Sequence, residues 1–437
     1  MTVIRCINEL LWGYPILVIL MGTHLYFTIR LKFIQKKVFH GIRLSVGKEK
    51  KTELGDSSKK GFSSFSALMT TLAATIGTGN IVGMSTAVAL GGPGAVFWCW
   101  MTGILGMSTS YAECWLCHRY RFMLKNGTIT GGPMYIFTNA LHKPGLGILY
   151  GTGIVAVSFF VGCTIQSNSI ALTSKSSFHI SPEISGILCV LITALALIGG
   201  CQIIGRICSV LVPFMGIFYL ICCFLLLYLM RDSIGSALHL ILASAFSRES
   251  LTGGILGGGI ASTLRYGIAR GLFTNEAGMG SAGIAAAHAS TEDSDRQALV
   301  SMTGVFWDTV VMCGITGLVI VAGFVEAPER ILGCSAGELT LLAFSRLPYG
   351  GQLLSLALIL FALSTIIGWF FLGEQAFTFL SKNETHLMIY KCAYLILLFL
   401  GAIASIEAVW ELTDFVNLFL LLPNIYLLWR LRKQIPS

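Results

Sequence analysis

The chain has 437 residues, of which 55% are hydrophobic and only 11% charged, and its mean hydropathy is +0.78. A water-soluble domain carries about 25% charged residues, so this composition excludes an ordinary soluble protein and points to the lipid bilayer. The formal charge of +8 is no nucleic-acid signature, because the basic residues concentrate between apolar runs. The thirteen cysteines lie mostly inside those runs and read as small hydrophobes rather than a disulfide framework.

A helix needs about 20 apolar residues to cross the hydrocarbon core. On that measure the sequence predicts spans at 10–30, 62–90, 91–116, 147–172, 183–202, 207–230, 252–286, 297–324, 350–380, 387–407 and 409–430. The fold class is therefore an all-α integral membrane protein of about eleven helices. The first apolar run lacks a basic flank and a small-residue cleavage site, so no cleavable signal peptide is expected. The connection after it carries Arg30, Lys32, Lys36, Lys37, Arg43, Lys48, Lys50, Lys51, Lys59 and Lys60 against Glu49, Glu53 and Asp56. Basic loops stay on the cytoplasmic side, which predicts an N-terminus outside and the Arg430-Leu431-Arg432-Lys433 tail inside. Arg119, Arg121, Lys125 and Arg206 fall on the same inner side. The expected location is the plasma (inner) membrane, crossed many times.

With residues 1–61 set aside as an N-terminal helix and basic loop, the remaining spans divide into two units of five, 62–230 and 252–430, followed by a tail at 431–437. An odd number of helices per unit forces opposite orientations across the membrane. Each unit opens on an interrupted span: Ile76-Gly77-Thr78-Gly79-Asn80 in the first, Asn275-Glu276-Ala277-Gly278-Met279-Gly280-Ser281 in the second. A helix broken in lipid leaves backbone groups unpaired at several kcal/mol each. Paired breaks of this kind mark the substrate and ion sites of inverted-repeat transporters.

Three short motifs point elsewhere and fail on context. Gly77, Gly79 and Gly83 approximate a dinucleotide-binding pattern, but the third glycine comes one residue late and both flanks are membrane helix. Cys114-Trp115-Leu116-Cys117-His118 matches a haem-attachment spacing at the predicted cytoplasmic end of a helix, the wrong side for that chemistry. Gly333-Cys334-Ser335-Ala336-Gly337 matches a nucleophile elbow but lies in a loop between two helices, not between a strand and a helix. No clustered histidines and no credible nucleophile favour an enzyme.

The breaks themselves have a definite chemistry. The second half-helix presents free N–H groups and a positive dipole end to a carboxylate; the first half-helix ends in carbonyls suited to a cation. Thr75, Thr78 and Asn80 add oxygens beside Gly77 and Gly79. Four ionisable residues, Arg265, Arg270, Glu276 and Asp308, sit inside apolar stretches, where such groups pair or line a polar cavity. Glu276 is expected to brace the second break by accepting backbone or arginine hydrogen bonds, with Arg270 within reach. Asp308 is a possible proton site.

Several longer runs resemble one family. They are Ala73-Ala74-Thr75-Ile76-Gly77-Thr78-Gly79-Asn80-Ile81, Ala89-Leu90-Gly91-Gly92-Pro93-Gly94-Ala95-Val96-Phe97-Trp98, Gly131-Gly132-Pro133-Met134-Tyr135, Gln166-Ser167-Asn168-Ser169 and Ala269-Arg270-Gly271-Leu272-Phe273-Thr274-Asn275-Glu276-Ala277-Gly278. Together they resemble the alanine or glycine:cation symporter family over residues 10–430. The resemblance implies a leucine-transporter-type fold with one extra N-terminal helix and sodium-coupled uptake of a small neutral amino acid.

The resemblance also implies roles for residues. Backbone at Gly77, Thr78 and Gly79 would receive the substrate carboxylate, and Gln166, Phe273 and Trp369 would wall and cap the pocket. Thr75, Asn80 and Thr274 would hold one sodium ion. Carbonyls of Ala73 and Ile76, with hydroxyls of Ser364 and Thr365, would hold a second. The expected activity is symport of alanine or glycine by alternating access, with Na+ as coupling ion, no further cofactor or metal, no nucleic-acid partner and a monomer as the working unit in the bilayer. Proton coupling, or a channel or amino-acid sensor on the same scaffold, are the alternatives.

Overall fold

The computed structural model describes residues 14–47, 61–124, 127–246, 260–328, 336–404 and 407–436. Helix α1 (Tyr14–Arg30) ends at two consecutive left-handed residues, Lys32 (φ 52) and Phe33 (φ 60), and a 3-10 turn (Ile34–Lys37) leads into α2 (Val38–Val46). Left-handed backbone costs a non-glycine residue roughly 1–2 kcal/mol, so this turn is held by its surroundings, and it bends the chain by 69°. The sequence reading placed only a loop there. The basic residues from Lys48 to Lys60 lie outside the described residues, as does the stretch Gly333–Ser335 of the elbow-like motif.

The first interrupted span is a helix pair. Helix α3 (Ser64–Thr75) starts on an N-cap, the Ser63 hydroxyl accepting the Ser66 amide at 3.0 Å, and stops before Gly77. A 3-10 turn (Thr78–Asn80) intervenes, and α4 (Val82–Gly91) resumes at an angle of 64°. Helix α5 (Ala95–Arg119) follows, then a two-residue antiparallel ribbon pairing β1 (Phe122–Met123) with β2 (Ile129–Thr130), and a short α6 (Pro133–Asn139). Helix α7 (Pro144–Val157) runs through a π-helical stretch (Ser158–Ile165) into α8 (Gln166–Phe178). Helices α9 (Pro182–Ile198) and α10 (Gly200–Leu229) complete the first unit.

Helix α11 (Arg231–Phe246) occupies a region where the sequence predicted no span. The second interrupted span is α12 (Ile260–Asn275), a turn, and α13 (Ser281–Ala287). Helix α14 (Ser294–Val305) is capped by Asp293, whose carboxylate accepts the amides of Asp295 and Arg296. It passes through a second π stretch (Phe306–Cys313) into α15 (Gly314–Glu326). Helices α16 (Leu339–Phe344), α17 (Gly350–Leu380), α18 (Glu384–Ile403) and α19 (Glu407–Leu431) end the chain.

Among the described residues, five helices are long and apolar enough to cross a membrane, or up to seven if each bent pair is one span. Helix α5 is long yet falls outside that set, and the packing shows why: Ser108, Thr109, Ser110 and Glu113 are all buried against protein rather than lipid. A helix enclosed by other helices needs no lipid-compatible surface.

Two contacts fix where the breaks sit. Helix α17 lies against the end of α3 so closely that a Cβ on Gly368 would fall 2.5 Å from the Ala74 amide nitrogen. The start of α3 is pinned to the end of α13 by a parallel bridge, in which the Phe62 amide donates to the His288 carbonyl at 2.8 Å and the Ser290 amide to the Phe62 carbonyl at 2.7 Å. The two half-helices on one side of the breaks are thereby tied together.

Candidate functional site

The first break is built from Asn80 outward. Its Oδ1 accepts the Gly77 amide at 2.9 Å, and its Nδ2 donates to Asp308, at 2.8 Å to Oδ1 and 3.1 Å to the carbonyl. The Gly77 amide is therefore occupied within the protein. The amides of Thr78 and Gly79 open the 3-10 turn, where a helix start leaves donors without intrahelical acceptors. The Thr78 hydroxyl lies 3.4 Å from Gln166 Oε1, which joins α8 to the break.

The second break is satisfied largely by residues from distant helices. Glu276 (φ 54), Gly278 (φ 97) and Gly280 (φ 82) all take left-handed backbone, a turn that two glycines make accessible. The Asn275 side chain accepts the Ala277 amide at 2.9 Å and donates to the Thr309 hydroxyl at 3.0 Å. Glu113 Oε2, from α5, accepts the amides of Gly278 and Gly280 at 3.1 Å each and Asn424 Nδ2 at 3.0 Å. Asn424 Nδ2 also donates to the Gly278 carbonyl at 2.8 Å, and the Tyr150 hydroxyl to the Met279 carbonyl at 2.7 Å. Glu276 accepts the Ser281 hydroxyl at 2.6 Å. The brace across this turn is thus Glu113, with Glu276 turned to its own second half-helix.

Glu113, Tyr150 and Asn424 escaped the sequence reading. Glu113 carried a usable signal, since it is an ionisable residue in an apolar span, the same criterion that marked Asp308. Tyr150 and Asn424 carried none that spacing could expose.

Between the breaks lies a buried polar cluster. Thr309 donates to Asp308 Oδ2 at 2.8 Å and sits 3.3 Å from the Thr274 hydroxyl, while Asn80 covers the other carboxylate oxygen. Among the described residues Asp308 has no basic partner. Both Asp308 and Thr309 lie in the π stretch of α14, and Gln166 directly follows the π stretch of α7. Single π turns inside α-helices occur frequently at functional sites because they re-aim side chains without ending the helix.

A second oxygen cluster lies where α17 meets α3. The Ser364 hydroxyl is 3.4 Å from the Ala73 carbonyl and the Thr365 hydroxyl 3.2 Å from the Ile76 carbonyl. Both hydroxyls also reach the Phe361 carbonyl in their own helix, at 2.8 and 3.0 Å. Two neighbouring hydroxyls of α17 thus each face a carbonyl at the end of α3.

A cavity of about 340 Å³ connects these parts. Its wall includes Thr75, Gly77, Thr78 and Gly79 from the first break, and Arg270, Phe273, Thr274 and Glu276 from the second. Gln166, Thr365 and Trp369 close the remaining sides. Ala73, Ile76, Asn80 and Ser364 stand behind this wall, in the two oxygen clusters, and all four are buried. The lining continues along α4 through Val82, Gly83 and Thr86 and along α12 to Arg270, and includes no residue of α13. The cavity therefore extends toward the α4 and α12 side of the breaks, while the Phe62 bridge ties the opposite side. The Arg270 guanidinium lies over the Phe273 ring, 5.5 Å from its centroid, in a notch left by Gly83, where a Cβ would come 2.1 Å from Nη1.

The motifs that pointed elsewhere are structural. Cys114 and Cys117 are buried, and His118 ties α5 to the start of α14 by bonding to Ser294 Oγ at 2.9 Å and the Thr291 carbonyl at 3.0 Å. Gly77 precedes the 3-10 turn, Gly79 lies within it, and Gly83 makes room for Arg270.

The model of the sodium:alanine symporter family matches residues 1–436. The chain belongs to this family. It is 39% identical over 433 residues to the sodium/alanine symporter AgcS of Methanococcus maripaludis, covering 97% of this chain and 93% of that protein. It is 30% identical to the probable sodium/glutamine symporter GlnT of Bacillus subtilis, covering 98% and 87%. Among solved structures it is similar to MhsT in complex with L-phenylalanine, with a TM-score of 0.61 at 18% identity, covering 85% of this chain and 89% of that one. A Na+-coupled sialic acid symporter in a substrate-bound outward-open state gives 0.58 at 12% identity, covering 94% and 87%. The fold is thus the leucine-transporter type, in a multi-pass membrane protein. The family member is a transporter of amino acids by symport and not an enzyme.

Proposed function

We propose that this symporter couples sodium entry to import of a small neutral amino acid, alanine or glycine, by alternating access. The observation that carries the reading is the meeting of two broken helices at one cavity, with the amides that open the 3-10 turn on one side and carbonyl and hydroxyl oxygens on the other. The amides of Thr78 and Gly79 receive the substrate carboxylate, and Gly77, its own amide held by Asn80, shapes the turn that presents them. Gln166 orients Thr78. Phe273 and Trp369 bring two large aromatic groups against the space left for the side chain, which favours a hydrogen or a methyl over anything bulkier.

One sodium ion is held by the Ala73 and Ile76 carbonyls with the Ser364 and Thr365 hydroxyls, a neutral oxygen set of the kind a hard cation takes. The other is held by Thr75, Asn80 and Thr274, with the Asp308 carboxylate facing them through Asn80 and Thr309. Substrate and ions together favour closure over the cavity, and the sodium gradient gives the cycle its direction. This reading draws support from the family and from AgcS.

The test is uptake of labelled alanine into proteoliposomes with sodium inside, outside or replaced by potassium, in competition with a panel of amino acids. Saturable accumulation that needs an inward sodium gradient, competed by glycine and not by glutamine or phenylalanine, is expected. Accumulation that ignores sodium but follows an imposed pH gradient would replace sodium by protons, a second reading favoured by the burial of Asp308, which has no basic partner among the described residues. Equilibration without accumulation would indicate a channel, and binding without flux a sensor.

A further inference from the structure

The short helix α2 has a composition that the transport reading leaves unused. Its inner face packs on α14: Val38, Gly41 and Ser45 are buried, a Cβ on Gly41 would stand 2.4 Å from the Leu299 carbonyl oxygen, and Arg296 donates to the Leu44 carbonyl at 3.2 Å. Its outer face mixes two chemistries. Phe39 and Val46 are 74% and 77% exposed, and Phe33 in the preceding turn is 53% exposed. Lys36, Lys37, His40 and Arg43 are exposed with them. Residues 36, 39, 43 and 46 follow helical spacing, so basic and apolar side chains share one side of the helix.

The surroundings identify what this face meets. Val18, Leu25 and Ile29 on α1 are exposed, as are Phe33 and Phe39 beyond its end, so large apolar side chains stay exposed across the bend. The Phe39 ring lies 6.2 Å from that of Phe306, at the start of the π stretch that carries Asp308. The bend of 69° between α1 and the α2 segment turns the chain away from the direction of its span. A helix with large apolar residues and basic residues on one free face, lying across the end of a span, has the form of an interfacial helix. Its cations then lie at the level of the lipid headgroups.

We propose that α2 and the 3-10 turn before it form a docking surface for anionic phospholipid headgroups, with Lys36, Lys37 and Arg43 holding the phosphates and Phe39 seated among the acyl chains. Because α2 is fixed to α14 by close backbone contact, headgroup binding sets the position of the helix that bears the polar cluster. Transport by this chain therefore depends on the charge of the surrounding lipid.

Two readouts test this. The first is phospholipid retained by the full chain after purification from vesicles of mixed phosphatidylglycerol and phosphatidylcholine, compared with the triple variant Lys36→Gln, Lys37→Gln, Arg43→Gln. These are surface positions, and a native elution profile and melting temperature confirm that the variant is folded. Each basic residue near an anionic surface is worth roughly fivefold in association, so the preference for phosphatidylglycerol is expected to fall at least fivefold in the variant. An unchanged preference, or equal retention of both lipids by the native chain, overturns the proposal. Phosphatidylglycerol retention that is displaced by inorganic phosphate alone also overturns it, since the headgroup would then act as a free anion. The second readout is the initial uptake rate in liposomes with and without phosphatidylglycerol. The native chain is expected to gain rate with the anionic lipid, and both the triple variant and Phe39→Ala to lose most of that gain. An oligomeric state that changes with the triple substitution at constant lipid would show instead that this face binds a second copy. Lipid retention is measured without any assumption about the transported solute, so it stands or falls apart from the assignment of sodium and alanine.

Discussion

At the scale of single residues, two glycines separate space that can yield from space that cannot. A Cβ on Gly83 meets the far end of the Arg270 side chain, which swings aside; a Cβ on Gly368 meets the Ala74 amide, which is fixed backbone. Gly83→Ala is therefore expected to cost under about 1 kcal/mol of stability, while displacing a cation from the cavity wall and raising KM for alanine severalfold. Gly368→Ala is expected to cost about 1–3 kcal/mol through overpacking and to abolish uptake by separating the Ser364 and Thr365 hydroxyls from α3. Melting temperature and uptake on both variants check this, and equal effects of the two would refute the distinction. Glu113 offers a third case. Glu113→Ala strips one acceptor from two backbone amides, each costing about 1–3 kcal/mol when buried and unmet. Glu113→Gln keeps an oxygen there, so its melting temperature should fall between those of the native chain and Glu113→Ala.

At the scale of elements, the two breaks are supported in different ways. The first is held locally, by Asn80 closing on Gly77 three residues back at 2.9 Å, and its glycines and hydroxyls were legible in the sequence as a costly feature in an apolar run. The second is held from elsewhere, by Glu113, Tyr150 and Asn424 on three helices, and pairing over such separations leaves no periodic trace in one sequence. Helix α2 was missed for a different reason: its nine residues are too short to read as a span, and they lie inside a connection marked by its basic residues. The same contrast predicts how the ion sites respond to substitution. Asn80→Ala removes an acceptor and two donors together, so it should lower maximal uptake as well as raise the sodium concentration giving half-maximal rate. Ser364→Ala removes a single oxygen from a cluster that keeps three, and should raise the sodium requirement with little change in maximal rate. Sodium titration of alanine uptake at saturating substrate separates these patterns, and identical curves for native and Ser364→Ala protein would remove that hydroxyl from the ion site.

At the scale of the whole molecule, the cavity extends along α4 and α12 while the half-helices on the other side of the breaks are joined at Phe62. Two backbone hydrogen bonds at about 0.5–1.5 kcal/mol each, with the Phe62 ring packed 5.2 Å from that of Phe371, form a latch of a few kcal/mol. A latch of that size can hold one state of a two-state transporter and still open in each cycle, since a shift of about 1.4 kcal/mol changes a population ratio tenfold. Opening on the latched side must break both bonds, because α3 cannot leave α13 while Phe62 is paired with His288 and Ser290. Amide exchange at Phe62 and Ser290 then reports the equilibrium between the two states directly. Phe62→Ala, which keeps the backbone donor and acceptor but removes the ring, should speed exchange at Ser290 and at residue 62 by tenfold or more if the ring contributes about 1.4 kcal/mol. The same substitution should raise the rate of substrate exit relative to entry in proteoliposomes. Unaltered exchange at Ser290 in Phe62→Ala would show that the bridge is a fixed part of the scaffold, and the moving boundary would have to lie elsewhere.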